Sequence, residues 1–460
     1  MFKVYCVVSN GISEYESLAE LNNSNIEIEV SNINGDYSFR SVDIENRFFC
    51  AMINNTLYIS DKLAWLSEKF ILTHNKKAID FYDKFGFIVP PYTQYSDVFI
   101  LTPLVLFTVS NHKLTWKDLP PVKNEHSAPE VKLESIFDKY FSVDKSKNRK
   151  LDILVSGGID SSALLGYLSQ NNMAASAHML KMSSLPGENN SANAMCNEIS
   201  LHLNLVDLDK DLSSSADYLL SHTGELISDP IAIPLSDFFI SMKENSSKET
   251  LIIVDGQGAD SLLNGLPANK VFEAWKKVRF FRYLLAPLSY IPIYTNKTSL
   301  LKRKIYRFTK AMKSITQLDF ACALIVILTE NDELDCDLEF ELLGRLRKLN
   351  KAYDDWHMTI RVFYMYLVLP AREMQKYSLA KSENIIIRAP FLSRDVVEEL
   401  IFSDNNKLIK DGFYKYPITK LAQEYWPGRF RTSSTSPFQV NYDLSGANAK
   451  NYSKSYFHIE

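Results

Sequence analysis

Two short stretches of the chain combine glycine, serine and aspartate in a way that suits phosphate chemistry. The first is Ser156-Gly157-Gly158-Ile159-Asp160-Ser161-Ser162. The second is Asp255-Gly256-Gln257-Gly258-Ala259-Asp260-Ser261. Glycines let a backbone come close to a phosphate. Free backbone N–H groups in such a loop, backed by a helix N-terminus, favour an anion. Ser156, Ser161 and Ser162 add hydroxyl donors. A carboxylate in the same loop repels a phosphate unless a cation lies between them, and Mg²⁺ bridging carboxylates and phosphates resolves the conflict. Asp160 and Asp260 are therefore the expected metal ligands. There is no G-x-x-x-x-G-K-[ST], so the first loop is not a Walker loop. The purely structural reading is a serine-capped helix for the first loop and an aspartate N-cap for the second.

The elements that must position these loops are legible as periodic runs. Leu151 to Val155 reads as a buried strand, and a helix follows over Ser161 to Ser169. Ala174 to Leu180 is apolar, Ala192 to Leu203 reads as helix, and Leu205 to Leu208 as a short strand. Leu251 to Val254 is a further buried run, leading into the second loop. Strands alternating with helices imply a parallel sheet with right-handed crossovers. In such sheets ligands bind at the carboxyl ends of strands, which is where both loops fall. From about residue 270 the pattern is mostly helical.

Residues 1–120 differ. Lys3 to Val8, Phe48 to Ile53, Thr56 to Ile59 and Val98 to Leu101 are β-rich, and Asn54-Asn55 marks a hairpin turn. The proline-rich polar segment 121–130 reads as a linker. The expected architecture is α/β: a β-rich domain over 1–120 and a parallel-sheet domain with a helical C-terminal part over 131–460.

Composition narrows the class. The 460 residues are 46% hydrophobic and 23% charged, ordinary for a globular protein, and the formal net charge is -4, which disfavours a nucleic-acid binder. Cys6, Cys50, Cys196, Cys322 and Cys336 form no CxxC pair, so a zinc ribbon or disulfide framework is not expected and a reducing cytoplasm fits. No signal peptide or membrane span is read from the sequence. Lys270 to Lys313 is rich in lysine, arginine and aromatic residues, which reads first as a solvated helical face over an aromatic core.

The two loops also carry a resemblance. Ser156-Gly-Gly-Ile-Asp160-Ser resembles the SGGxDS pyrophosphatase (PP) loop of the asparagine synthetase superfamily, and Asp255-Gly-Gln-Gly-Ala-Asp260 resembles that family's second loop. Arg388-Ala-Pro390-Phe391-Leu392 is similar to its R-V-P-F-L-D segment, and Lys415-Tyr-Pro-Ile-Thr-Lys420 to its K-Y-x-x-R helix start. Order and spacing agree over roughly residues 130–432. Phe85 to Thr93 and Val105 to Leu114 resemble the end of the family's glutaminase domain. The resemblance implies a PP-loop (adenine nucleotide α hydrolase-like) synthetase domain behind a degenerate N-terminal-nucleophile glutaminase-like domain. It implies a ligase that adenylates a carboxylate with ATP and Mg²⁺, releases AMP and pyrophosphate, and joins the acyl group to an amine. Asp160 and Asp260 would hold the metal. Ser156, Gly157, Gly158, Ser161 and Ser162 would cradle the phosphates, and Leu154, Val155, Met179 and Gly256 would line the adenine and ribose.

Three departures from the family pattern shape the expectation. Phe2 stands where a glutaminase needs cysteine, so glutamine hydrolysis is not expected. Gln257 and Ser261 replace acids common in the second loop. Arg431 stands where the family carries a late catalytic lysine, keeping charge but not acid–base behaviour. Loss of the terminal cysteine with both ATP loops kept is typical of members that close a ring within one substrate. Lasso-peptide macrolactam synthetases are the nearer group in character, joining an Asp or Glu side chain to the N-terminal amine of a ribosomal peptide. Their partners would be a leader-peptide-binding protein and a cysteine protease. β-Lactam-type cyclisation and ammonia-dependent amidation of a small acid or sugar acid are the alternatives, and a partner-binding pseudoenzyme is the non-catalytic one.

Overall fold

The computed structural model describes residues 3–8, 11–15, 28–33, 36–42, 44–123, 131–181, 186–207, 212–245, 251–278, 281, 284, 287, 300–331, 334–430 and 447–459. Two antiparallel sheets come first in the chain. Strands β1 (Lys3–Val8), β2 (Gly11–Tyr15), β5 (Phe48–Ile53), β6 (Thr56–Ser60) and β7 (Val98–Leu101) form one, in the order β2-β1-β6-β5-β7. Its single parallel pairing is β1 with β6. Strands β3 (Ile28–Ile33), β4 (Asp36–Ser41), β8 (Val105–Ser110) and β9 (Lys113–Asp118) form the other, in sequence order. Alternation along the strands sends Val4, Cys6, Leu57 and Ile59 from the first sheet and Val30, Phe39, Val105 and Phe107 from the second into one shared core. The opposite face of the first sheet, with Phe49, Ala51 and Val98, packs on Leu63 and Leu66 of helix α1 (Leu63–Lys69). The expected hairpin joins β5 to β6, with Asn54 and Asn55 both at positive φ, 50° and 61°. That is the turn chemistry a tight hairpin selects.

The second sheet system is parallel throughout. It contains β10 (Leu151–Leu154), β11 (Ala174–Lys181), β12 (Leu203–Asp207), β13 (Leu251–Val254) and β14 (Ile385–Arg388), in the order β12-β11-β10-β13-β14. The chain runs outward from β10 to β12, then returns to lay β13 on the other side of β10. The crevice between the carboxyl ends of β10 and β13 is therefore a topological switch point. Helix α3 (Ile159–Gln170) follows β10 and is buried along most of its length. The helix expected through Leu203 is α4 (Pro186–Glu198), which stops earlier because Ser200 turns the chain at φ 54° and Leu203 already pairs in β12.

The antiparallel and parallel parts are joined by charged contacts with buried members. Lys84, in helix α2 (Lys76–Phe85), pairs with Glu339 of helix α6 (Asp337–Tyr353) at 2.5 Å. Arg345 of the same α6 pairs with Asp118 at 2.7 Å. Arg47 makes a two-pronged contact with Glu225. Arg47, Lys84 and Arg345 are 6%, 7% and 4% exposed. Among the described residues no helix is long and apolar enough to cross a membrane. Linker residues 124–130 lie outside the described residues. In the basic segment, Trp275 and Phe272 pack on Phe320, and Lys310 lies over Tyr306, in keeping with a solvated face over an aromatic core.

Candidate active site

The first loop leaves β10 and turns at once. Gly157 takes φ 75°, and Gly158 caps helix α3 with no side-chain cap. The serine-capped alternative is thus not what forms. Instead the serines bond within the loop. Ser156 N donates to Ser161 Oγ at 3.1 Å, Gly158 N to Ser156 Oγ at 3.3 Å, and Ser162 Oγ to Gly158 O at 2.7 Å. Ser161 and Ser162 are 6% and 1% exposed, whereas Ser156 is half-buried. Val155 N donates to His178 O, which ties the loop's base to β11. Asp160 then falls in the first turn of α3, where the helix dipole favours its charge.

The second loop is held from outside. Asp255 N donates to Arg388 O of β14, and Tyr377 of helix α7 (Gln375–Ser382) donates its hydroxyl to Asp255. Gln257 Nε2 donates to Glu373, and Lys376 Nζ donates to Gln257 Oε1 at 2.8 Å, so the amide has one orientation. Lys376 is 5% exposed. Burial, and next Asp229, push the Glu373 carboxyl above its ordinary range, while Lys376 and Arg372 draw it back. Gly258 takes φ 95° and caps helix α5 (Ala259–Leu262), so Asp260 is a first-turn residue rather than the N-cap. A Cβ on Gly258 would lie 2.6 Å from Leu392 Cδ2, which seats the Pro390–Leu392 segment directly under the loop.

The two loops meet. A Cβ on Gly256 would stand 3.4 Å from Asp160 Cβ. Between the aspartates lies a side chain to which sequence reasoning gave no role. Lys415 Nζ is 2.9 and 2.7 Å from the two Asp160 oxygens and 2.8 Å from Asp260 Oδ1. The three side chains are 7% (Lys415), 21% (Asp160) and 56% (Asp260) exposed. Burial opposes the lysine's charge, but the two carboxylates outweigh it and hold its pKa above the ordinary value. Burial, with Asp260 adding, pushes the Asp160 carboxyl upward against the pull of Lys415.

Lys415 is aimed by its surroundings. It precedes helix α8 (Tyr416–Tyr425) in the left-handed region, at φ 56°. A non-glycine residue there costs about 1–3 kcal/mol, and such residues concentrate at functional sites. Helix α8 is pressed against α3. A Cβ on Gly166 would come 2.5 Å from Tyr425 Cβ, and buried Trp426 donates its indole N–H to Ser162 O at 2.8 Å. Gly265 makes room on the other side, since a Cβ there would lie 2.3 Å from Asp260 Oδ1 and 2.4 Å from Lys415 Cδ. Asn264, at φ 60°, is held by the buried Arg361 guanidinium at 2.9 Å.

Residues 142–455 match the asparagine synthase family, which covers more than half of the chain. The chain belongs to the asparagine synthase family. No curated relative matches it. As a member of this family it is an ATP-dependent amide-forming ligase, with the parallel-sheet synthetase fold expected from the sequence.

The remaining residues expected at the site are placed as follows. Val155, just after β10, and Met179, within β11, are 5% and 3% exposed, and Leu154 and Gly256 are half-buried. Phe2 and Arg431 lie outside the described residues. Among the described residues before it, Gln423 Nε2 donates to Phe430 O at 2.8 Å and Arg429 pairs with Glu198 at 3.4 Å. Among the described residues no group of three or more His, Cys, Asp or Glu could hold a metal. Two carboxylates converging on one cationic nitrogen nevertheless fit a Mg²⁺ that takes its other ligands from phosphates and water. Glu373, Lys376 and Tyr377 had no sequence signal, because they reach the second loop from more than a hundred residues away.

Proposed function

We propose that this ligase adenylates a carboxylate on Mg·ATP, releases AMP and pyrophosphate, and closes an amide within a single peptide substrate. The observation that carries the first half is the convergence of Asp160, Asp260 and Lys415 at the switch point. Asp160 and Asp260 would hold the metal, which when bound would supply positive charge against the nucleotide's phosphates. Gly157, Gly158 and the Ser156 hydroxyl receive the departing phosphates at the N-terminus of α3. Leu154, Val155, Met179 and Gly256 bound the nucleoside. Gln257, fixed by Glu373 and Lys376, is a polar contact on the second loop, and Arg431 supplies positive charge during amide formation. The chain's own contribution is orientation and charge placement.

The cysteines bear on whether the chain could free ammonia from glutamine. Cys6 is in the middle of β1, 1% exposed, and burial followed by Asp61 pushes its thiol up to about 12. Burial likewise raises Cys196 to about 11 and Cys50, Cys322 and Cys336 above their ordinary value. A thiol held protonated is a poor nucleophile. This speaks against glutamine hydrolysis within the chain and leaves a substrate amine or free ammonia as the source; we take the first, with macrolactam closure between an N-terminal amine and an Asp or Glu side chain of a ribosomal peptide. The β-rich part then serves as a glutaminase-like layer without that reaction. The test is a linear synthetic peptide with a free N-terminus and internal Asp or Glu, incubated with Mg·ATP. The expected product has lost one water, with AMP and pyrophosphate formed in equal amounts. Reaction only of free aspartate with ammonia overturns ring closure, and formation of ADP overturns the adenylate.

A further inference from the structure

Lys415 occupies the point at which two carboxylates from different strands converge. Its ammonium touches both oxygens of Asp160 and one of Asp260, all within 2.9 Å. A divalent ion bound by the same oxygens would sit at about 2.0–2.1 Å from them. Such an ion and an ammonium on one set of oxygens would lie within a few ångströms of each other, in a part of the protein where repulsion is weakly screened. The two cations cannot share that seat.

We infer that Lys415 is a built-in counter-ion that excludes a lone divalent cation from Asp160 and Asp260, and that it yields its place when a nucleotide brings phosphates as replacement anions. The inference rests on the reading of the two aspartates as metal ligands. The backbone around Lys415 supports a side-chain exchange rather than a loop movement. Helix α8 is locked to α3 through Gly166–Tyr425 and Trp426–Ser162, and Gly265 leaves no slack beside the lysine stem. What remains free to move is the ammonium at the end of four methylenes. Exchanging one cation for another means that the enclosed Asp160 and the more exposed Asp260 do not face each other without a counter-charge. The binding order follows: nucleotide and metal enter together, and metal alone does not.

Mn²⁺ binding to the full chain, read by electron paramagnetic resonance of the free ion, tests this without substrate. Wild type should bind Mn²⁺ alone weakly, and K415M should bind it at least about tenfold more tightly, as removal of an adjacent like charge requires. Adding D160N to K415M should erase that gain. A non-hydrolysable ATP analogue should raise Mn²⁺ affinity in wild type by a larger factor than in K415M. Equal Mn²⁺ affinity in wild type and K415M, or a gain that survives D160N, overturns the inference. K415Q carries the same comparison should K415M fail to fold. If the D160N/D260N double variant binds Mn²⁺ with nucleotide as well as wild type does, the metal assignment itself falls. If that variant loses binding while K415M gains nothing, the metal assignment stands and the counter-ion idea fails.

Discussion

The two glycine–aspartate loops reach the same crevice by opposite means. The first is bonded to itself: Ser156, Ser161 and Ser162 close it against Gly158, and a buried twelve-residue helix stands behind it. The second precedes a helix of four residues and is held by Tyr377, Glu373, Lys376 and Arg388 from elsewhere in the chain. Asp160 is correspondingly enclosed and Asp260 open to solvent. One loop is a self-sufficient motif. The other is an assembly whose geometry depends on how well distant helices pack.

The sharpest way to break this contrast is to neutralise each aspartate in turn. Asp160→Asn should lower ATP-dependent pyrophosphate release by about a thousandfold, and Asp260→Asn by about a hundredfold. The reverse order would mean that the open aspartate, not the enclosed one, dominates. Glycine substitutions probe the backbones. Gly258→Ala forces a side chain into φ 95° against Leu392 and should cost about 2–4 kcal/mol in urea unfolding. Gly158→Ala, at φ -80° with its nearest neighbour Ser156 Oγ at 3.2 Å, should cost about 1 kcal/mol or less. Tyr377→Phe removes a donor from Asp255 and should cost about 1–2 kcal/mol in the same unfolding measurement.

The smallest effect concerns the scaffold of the second loop. Glu383 ends helix α7 and receives Lys243 at 2.5 Å and the Tyr218 hydroxyl. Burial raises its carboxyl, but Lys243 and Tyr218 outweigh that and leave it below the usual range. A carboxylate with a depressed folded pKa contributes stability above its unfolded pKa of about 4.3, and loses it as pH falls through the folded value. Glu383→Gln should therefore lower the melting temperature at pH 7 and lower it by less at pH 3. An equal loss at both pH values would assign Glu383 a packing role instead.

These contrasts also explain what the sequence disclosed. Ser156-Gly-Gly-Ile-Asp160 was legible because its geometry is made by neighbours along the chain. The buried runs at Leu151 and Leu251 were legible because a central parallel strand is apolar on both faces. Strands β2 to β4 escaped, since polar residues such as Ser13, Glu14, Ser31 and Asn32 dilute the apolar signal. Lys415 was visible only as the residue before a Tyr-Pro helix start. Its role depends on Gly166 and Gly265, two small residues whose value is the space they leave. Lys376 and Glu373 act across a fold that a linear pattern does not encode.

The charged seam between the antiparallel and parallel parts has a consequence for the evolution of the chain. Arg47 meets Glu225, Lys84 meets Glu339 and Arg345 meets Asp118, so excising the first 120 residues would strip Glu225, Glu339 and Arg345 of counter-charges they cannot replace. Where such a partner stays buried, as after a single substitution at Arg47, Lys84 or Asp118, the loss costs about 3–5 kcal/mol, a large part of what holds an ordinary domain together. A region in that position is retained as a foundation whether or not it performs chemistry, and its loss from the genome would first be felt as misfolding.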